Sequence, residues 1–186
     1  GGVEWMRAGS AIWHGDEYRP DSAARFKGFQ LWVALPEAME MREPEWQFVE
    51  ASGIPAMGPA RLIAGAYLGE RSPIRSFDGL NYLLVTLAPG EAWTYETPEG
   101  HEVGWLSLSH GSLVGADTYH AGEMIAFDRS DAPIALRAGP EGATFVLGSA
   151  VPHPHELVLG YYSVHTSAAN LQAGEARIAE VRHRYA

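Results

Sequence analysis

Short apolar runs with a period of two, each stopped by glycine or proline, dominate this sequence and leave few folds open to it. Side chains of an extended strand alternate between faces, so each run buries one face and presents the other to solvent. In 28–35 (GFQLWVAL), Phe29, Leu31, Val33 and Leu35 fall on one face, and Pro36 ends the run. The pattern repeats at 61–66, 81–88, 91–95 and 102–109, and again at 112–115, 124–127, 134–138, 143–149 and 157–164. Turn signals separate the runs: Pro89-Gly90, Pro98-Glu99-Gly100, His110-Gly111, Ala121-Gly122 and Gly139-Pro140. Strands about ten residues apart with such turns predict an all-β sandwich or barrel. The 21 Gly and 12 Pro among 186 residues, well above the usual ~12%, agree with a chain that turns often.

Two stretches break the pattern. Residues 36–59 carry four prolines and three methionines, which predicts a long surface connection joining two modules. At the other end, Leu171, Ile178, Val181 and Tyr185 recur at helical spacing behind Ser167, a side chain suited to an N-cap. This predicts a C-terminal helix over 167–185, with Gly174 a local cost of about 1 kcal/mol relative to alanine.

Charge and cysteine content narrow the partners. Thirteen Lys and Arg against 23 Asp and Glu give a net charge of −10, which repels a phosphate backbone and argues against direct nucleic-acid binding. With no cysteine, disulfides, thiolate nucleophiles and cysteine metal sites are excluded. No run approaches the ~20 apolar residues of a membrane helix, and Gly1 to Met6 lacks the pattern of a signal peptide. A cytoplasmic monomer with no membrane contact is expected.

Among chemistry-bearing residues, Ile12-Trp13-His14-Gly15-Asp16-Glu17 is the most suggestive. If extended, it places His14 and Asp16 on one face, an imidazole beside a carboxylate, a pairing that suits Zn, Fe, Ni or Cu. Glu17 faces the other way unless a bulge turns it. The competing reading is a hydrated pair at a strand end. His153-Pro154-His155-Glu156 offers a second ligand-like set, although Pro154 favours a loop or edge. His101, His110 and His120 lie beside turns and read as solvated; His165 reads as a cap or surface residue, and His183 as a cation near a helix C-terminus. Neither a G-x-S-x-G elbow nor a phosphate-binding glycine loop is present. The tryptophans at 5, 13, 32, 46, 93 and 105 could line an aromatic pocket or serve as core and rim.

The segment Trp5-Met6-Arg7-Ala8-Gly9-Ser10-Ala11-Ile12-Trp13-His14-Gly15-Asp16 resembles the pirin family's W-M-[TS]-A-G-x-G-I-x-H-[SA]-E. Phe29 to Pro36 is similar to the family's L-Q-L-W-V-N-L-P. Glu43-Pro44-Glu45-Trp46-Gln47, Ile54-Pro55, Leu62-Ile63-Ala64-Gly65 and Ser72-Pro73 follow in order, and Gly160 to Thr166 stands before the terminal helix as a G-P-F-V-M-N-T-like segment does.

The resemblance implies double-stranded β-helix (cupin) barrels in a bicupin arrangement with a short C-terminal helix. Residues 1–58 would be the remainder of an N-terminal barrel plus linker, and residues 59–186 a C-terminal barrel with the helix. It implies one divalent metal, Fe(II) first, with Ni, Cu, Mn or Zn as alternatives, held by three histidines and a glutamate in the first barrel. His14 matches the third histidine and Asp16 the glutamate position, one methylene shorter, as metal ligand or catalytic base. The other two histidines come from an H-P-H segment that would precede Gly1, so the site is expected to be only partly contained here. His153-Pro154-His155 copies that segment superficially, at the wrong place in the family's order. Pro98-Glu99-Gly100-His101-Glu102-Val103 resembles a first cupin motif with Val103 where its second histidine belongs, which implies a metal-free second barrel. The implied activity is that of an oxidoreductase, a quercetin 2,3-dioxygenase acting on a flavonol-like aromatic substrate. The alternative is a metal-dependent regulatory partner of a transcription factor or metabolic enzyme.

Overall fold

The computed structural model describes residues 1–14 and 27–185. The first elements are β1 (Val3–Arg7), α1 (Glu37–Glu40), β2 (Glu45–Val49), a 3-10 turn (Ala51–Gly53), β3 (Ala56–Met57), β4 (Ala60–Ala64), β5 (Ala66–Tyr67) and β6 (Glu70–Arg71). After them come β7 (Leu80–Leu87), β8 (Ala92–Tyr95), β9 (Val103–Val114), β10 (Thr118–His120), β11 (Met124–Ala126), β12 (Ile134–Ala150), β13 (Val158–Leu159), β14 (Val164–His165) and α2 (Ala168–Tyr185). The chain is mostly β with a C-terminal helix, as the period-two runs predict. It divides into two compact units, Gly1–Trp5 with Gln47–Pro152, and Met6–Trp46 with His153–Ala186. Among the described residues no helix is long and apolar enough to cross a membrane.

In the first unit an eight-stranded antiparallel sheet runs β10-β9-β12-β7-β4-β3, with β11 also on β9 and β8 also on β12. Alternation selects its inner face: Leu83, Val85 and Leu87 of β7 point inward with Leu106 and Leu108 of β9 and Phe145 and Leu147 of β12, all essentially inaccessible to solvent. Leu62 of β4 and Tyr95 of β8 complete the same cluster.

The turns expected at His110-Gly111 and Gly139-Pro140 do not break the chain. Both lie inside long continuous strands, β9 and β12, whose mutual register shifts between Ala138 and Ala143. Gly111 (φ +72°) and Gly142 (φ +75°) allow the two strands to bend there, and a Cβ on Gly111 would sit 1.9 Å from the Gly142 carbonyl oxygen. The expected strand 28–35 does not form: these residues carry no regular structure, and none of the described strands pairs with them. Residues 36–59 are no structureless connection: they hold α1, β2, the 3-10 turn and β3. The run 157–164 folds as two short paired strands, β13 and β14.

In the second unit α2 forms as its pattern predicts. Ser167 caps it, with Oγ accepting from the Asn170 N–H at 3.1 Å. Leu171, Ile178 and Val181 form its half-buried stripe, and Gly174 lies buried on the same face. The cost of Gly174 has a reason: a Cβ there would come within 2.4 Å of Nε2 of His165. That imidazole is buried, not superficial, and its Nδ1 lies 3.3 Å from Oε2 of Glu40, itself only 3% exposed. Glu40 also accepts from the Thr166 N–H at 2.7 Å and from Nδ2 of Asn170 at 2.8 Å. A buried carboxylate with three donors is a tie between α1, β14 and the first turn of α2.

Two predictions follow from these packings. Gly111→Ala should destabilise by several kcal/mol, the left-handed cost of about 1–2 kcal/mol plus a backbone clash. Gly90→Ala, at φ +72° with open space around it, should cost only the conformational part. Urea midpoints of the two variants test the difference. For Glu40, burial pushes the pKa up, but hydrogen bonds from Asn170, the Thr166 backbone and His165 outweigh it, leaving the carboxyl below its ordinary 4.5. A lowered pKa gives stability that is fully present above pH 4.5 and lost as pH falls through the folded-state value. Glu40→Gln should remove that acid-dependent part and cost about 1.5–3 kcal/mol at neutral pH, read from helical circular dichroism during denaturation.

Candidate functional site

The approach to His14 is built from the backbone upward. Nη1 of Arg7, at the end of β1, pairs with Oε2 of Glu45 at 3.0 Å, and Nη2 donates to the Glu43 carbonyl at 3.3 Å. Two residues later the chain turns at Gly9 (φ +54°), where a Cβ would meet the Arg42 carbonyl oxygen at 2.1 Å. The Ser10 N–H donates to that same oxygen at 2.7 Å. Only glycine allows this contact, so the A-G-S stretch is a hinge docked on the residues after α1. From there residues 11–14 run without regular structure, and the side chain of His14 is exposed. Asp16 and Glu17 lie outside the described residues.

An exposed imidazole nitrogen is a suitable ligand for a first-row divalent metal, and His14 fits that role by its exposure. The rest of a donor set is not assembled around it: among the described residues no group of three His, Cys, Asp or Glu could hold a metal ion. His153 and His155 are employed otherwise. Nε2 of His153 donates to the Leu35 carbonyl at 3.2 Å, and its Nδ1 accepts from the His155 N–H at 3.3 Å. Nε2 of His155 lies 3.6 Å from Oε2 of Glu37. The H-P-H segment therefore fastens its loop to residues 35–37.

His101 is the residue that reasoning from turns placed wrongly. It is only 7% exposed, and its Nδ1 lies 2.9 Å from Oγ of Ser149. Ser149 Oγ is 2.7 Å from the Tyr95 hydroxyl, which accepts from Nδ2 of Asn81 at 3.1 Å. Asn81 Oδ1 accepts in turn from the Ala66 N–H at 3.0 Å. These four side chains form a polar layer at one end of the first unit's core. Asn81 and Ser149 face each other across the β7–β12 register, at inward positions where the neighbouring inner residues are Leu83 and Leu147. Burial lowers the His101 pKa and keeps the ring neutral. It raises that of Tyr95, against the hydrogen bonds from Ser149 and Asn81. The sequence carried the signal in two polar residues set into apolar alternation. His110 and His120 are exposed, as expected.

No protein-family profile matches the chain. Among curated proteins it is 28% identical over 172 residues to a "Putative quercetin 2,3-dioxygenase" of Pseudomonas aeruginosa, covering 87% of this chain and 59% of that one. A pirin-like protein of Caulobacter vibrioides is 34% identical over 141 residues, covering 70% of this chain and 50% of its own length. The chain thus spans between half and three-fifths of these two relatives. Of the solved structures, a quercetin 2,3-dioxygenase from Acinetobacter baumannii superposes with a TM-score of 0.71 at 21% identity, over 81% of this chain and 55% of that one. At that identity the superposition speaks for the fold. Together with the ordered motifs from Trp5 to Thr166, these likenesses make the chain a pirin-like cupin.

Proposed function

We propose that this chain is part of a cytoplasmic, monomeric, pirin-like dioxygenase that cleaves quercetin or a related flavonol, in a bicupin arrangement. The observation that carries the reading is His14, presented in the open beyond a glycine hinge docked on Arg42, within the motif that resembles the family's ligand segment. The names of the relatives support the substrate class. His14 and Asp16 would hold the metal, Fe(II) first and Ni, Cu, Mn or Zn as alternatives, with the remaining ligands coming from outside residues 1–186. When bound, the metal supplies a Lewis acid for the flavonol's 3-hydroxyl and adjacent carbonyl and a partner for dioxygen.

This chain's own contribution is a ligand and a base. The imidazole of His14 donates a nitrogen lone pair. The Asp16 carboxylate accepts the proton of the 3-hydroxyl, so that the substrate is held as its anion, the form from which the heterocycle is cleaved by dioxygen with loss of carbon monoxide. With one methylene fewer than glutamate, Asp16 reaches less far, and Glu17 is the alternative carboxylate.

The test uses the full-length protein loaded with metal. His14→Ala should abolish bound metal after dialysis, read by elemental analysis, and unchanged metal content would remove His14 from the site. Asp16→Asn should lower dioxygen uptake with quercetin by about 10²–10⁴-fold, the usual contribution of a positioned base. Absence of uptake by wild-type protein with full metal content would refute the enzymatic reading and favour a metal-dependent regulatory partner.

A further inference from the structure

The buried polar layer around His101 opens on a cavity of about 240 Å³ whose lining includes His101, Ser149, Phe127, Pro133, Ile134 and Asp128. Its walls are fixed by backbone bonds: the Phe127 N–H donates to the Gly104 carbonyl and the Ser130 N–H to the Glu102 carbonyl, each at 3.0 Å.

The direction of every proton in the layer follows from the donors and acceptors available. The Ala66 N–H fixes Oδ1 of Asn81 as acceptor, so the Asn81 amide NH₂ must be the group that faces Tyr95. The Tyr95 oxygen, already accepting from Asn81, sends its own proton to Ser149. Ser149 Oγ then gives its proton to Nδ1 of His101. The reverse direction fails, because an amide NH₂ cannot accept and the Tyr95 proton would have no partner. A neutral His101 with Nδ1 occupied as acceptor carries its proton on Nε2. That N–H has no hydrogen-bond partner among the described residues. Ser149 is a relay in this chain: it is 1% exposed and its oxygen already accepts from Tyr95.

We infer that this cavity is a second, metal-independent binding site for a small neutral ring compound bearing one acceptor oxygen, an amide or ketone carbonyl, which takes the Nε2–H of His101. Three features select that class. The volume is below the ~300 Å³ at which drug-sized pockets begin, which suits a single ring. Phe127, Pro133 and Ile134 offer apolar surface to the ring. Asp128 shares the lining with His101, and its carboxyl group disfavours an anion; burial holding the imidazole uncharged works in the same sense.

The test is a titration of the ¹⁵N-labelled 186-residue chain with benzamide, benzoate and toluene, followed by NMR. Benzamide should shift Phe127, Ile134 and the His101 Nε2 resonance in a saturable way. Benzoate and toluene should bind at least threefold to tenfold more weakly, the size of one hydrogen bond. His101→Phe should bring benzamide down to the toluene level. Equal affinity for benzoate and benzamide, or no saturable shift with benzamide, would overturn the proposal. The imidazole ¹⁵N pattern of unliganded wild-type protein needs no variant to fold: the Nε2–H tautomer is expected, and an Nδ1–H tautomer would overturn it.

Discussion

One strand carries the larger unit. Residues 134–150 are hydrogen-bonded along both edges: 143–150 lie between β7 and β9, and 134–137 pair with β8 while Arg137 and Ala138 also meet β9. A strand of that length cannot stay flat while closing over a core. It bends where its register with β9 shifts, and the bend brings a glycine with φ near +75° against the backbone of another such glycine on β9. Gly111 and Gly142 meet there with no room for a single methyl group. The inner face of leucines and Phe145, and the position of the polar layer beyond them, both depend on that crossing.

The second unit relies on a different kind of restraint. Its apolar stripe is modest, and Glu40 gathers a helix start, a short strand and an imidazole around one buried carboxylate. Such a group is fixed by direction as much as by energy. Removing any donor leaves charge in a dry place, whereas an apolar contact of equal worth would tolerate sliding.

What the sequence disclosed, and what it hid, follow from the range of the interactions concerned. Alternation is local, so β7, β8 and β11 lie within a residue or two of their expected bounds. Ser167 acts three residues away, so the helix start was legible too. Gly111 and Gly139-Pro140 misled because a glycine in a turn and a glycine in a bulge look alike until the strand opposite is known. Residues 28–35 have the composition of a strand, but strand formation is a property of a pair. His101 and His165 looked superficial because their partners, Ser149 and Glu40, lie 48 and 125 residues away. At the proposed metal site the motif around His14 was legible as a resemblance, and the glycine hinge that presents it was visible only once Arg42 came beside Gly9.

Gly174 and His165 show how such distant pairs constrain a protein's history. The imidazole occupies the volume that a helix would otherwise give to a side chain, so the two positions are a single choice made twice. Alanine at 174 would push that ring aside, and a displaced His165 would weaken one of the donors that Glu40 gathers. A helical glycine that is unfavourable on its own thus makes room for a buried imidazole, and through it helps to hold a buried carboxylate in place.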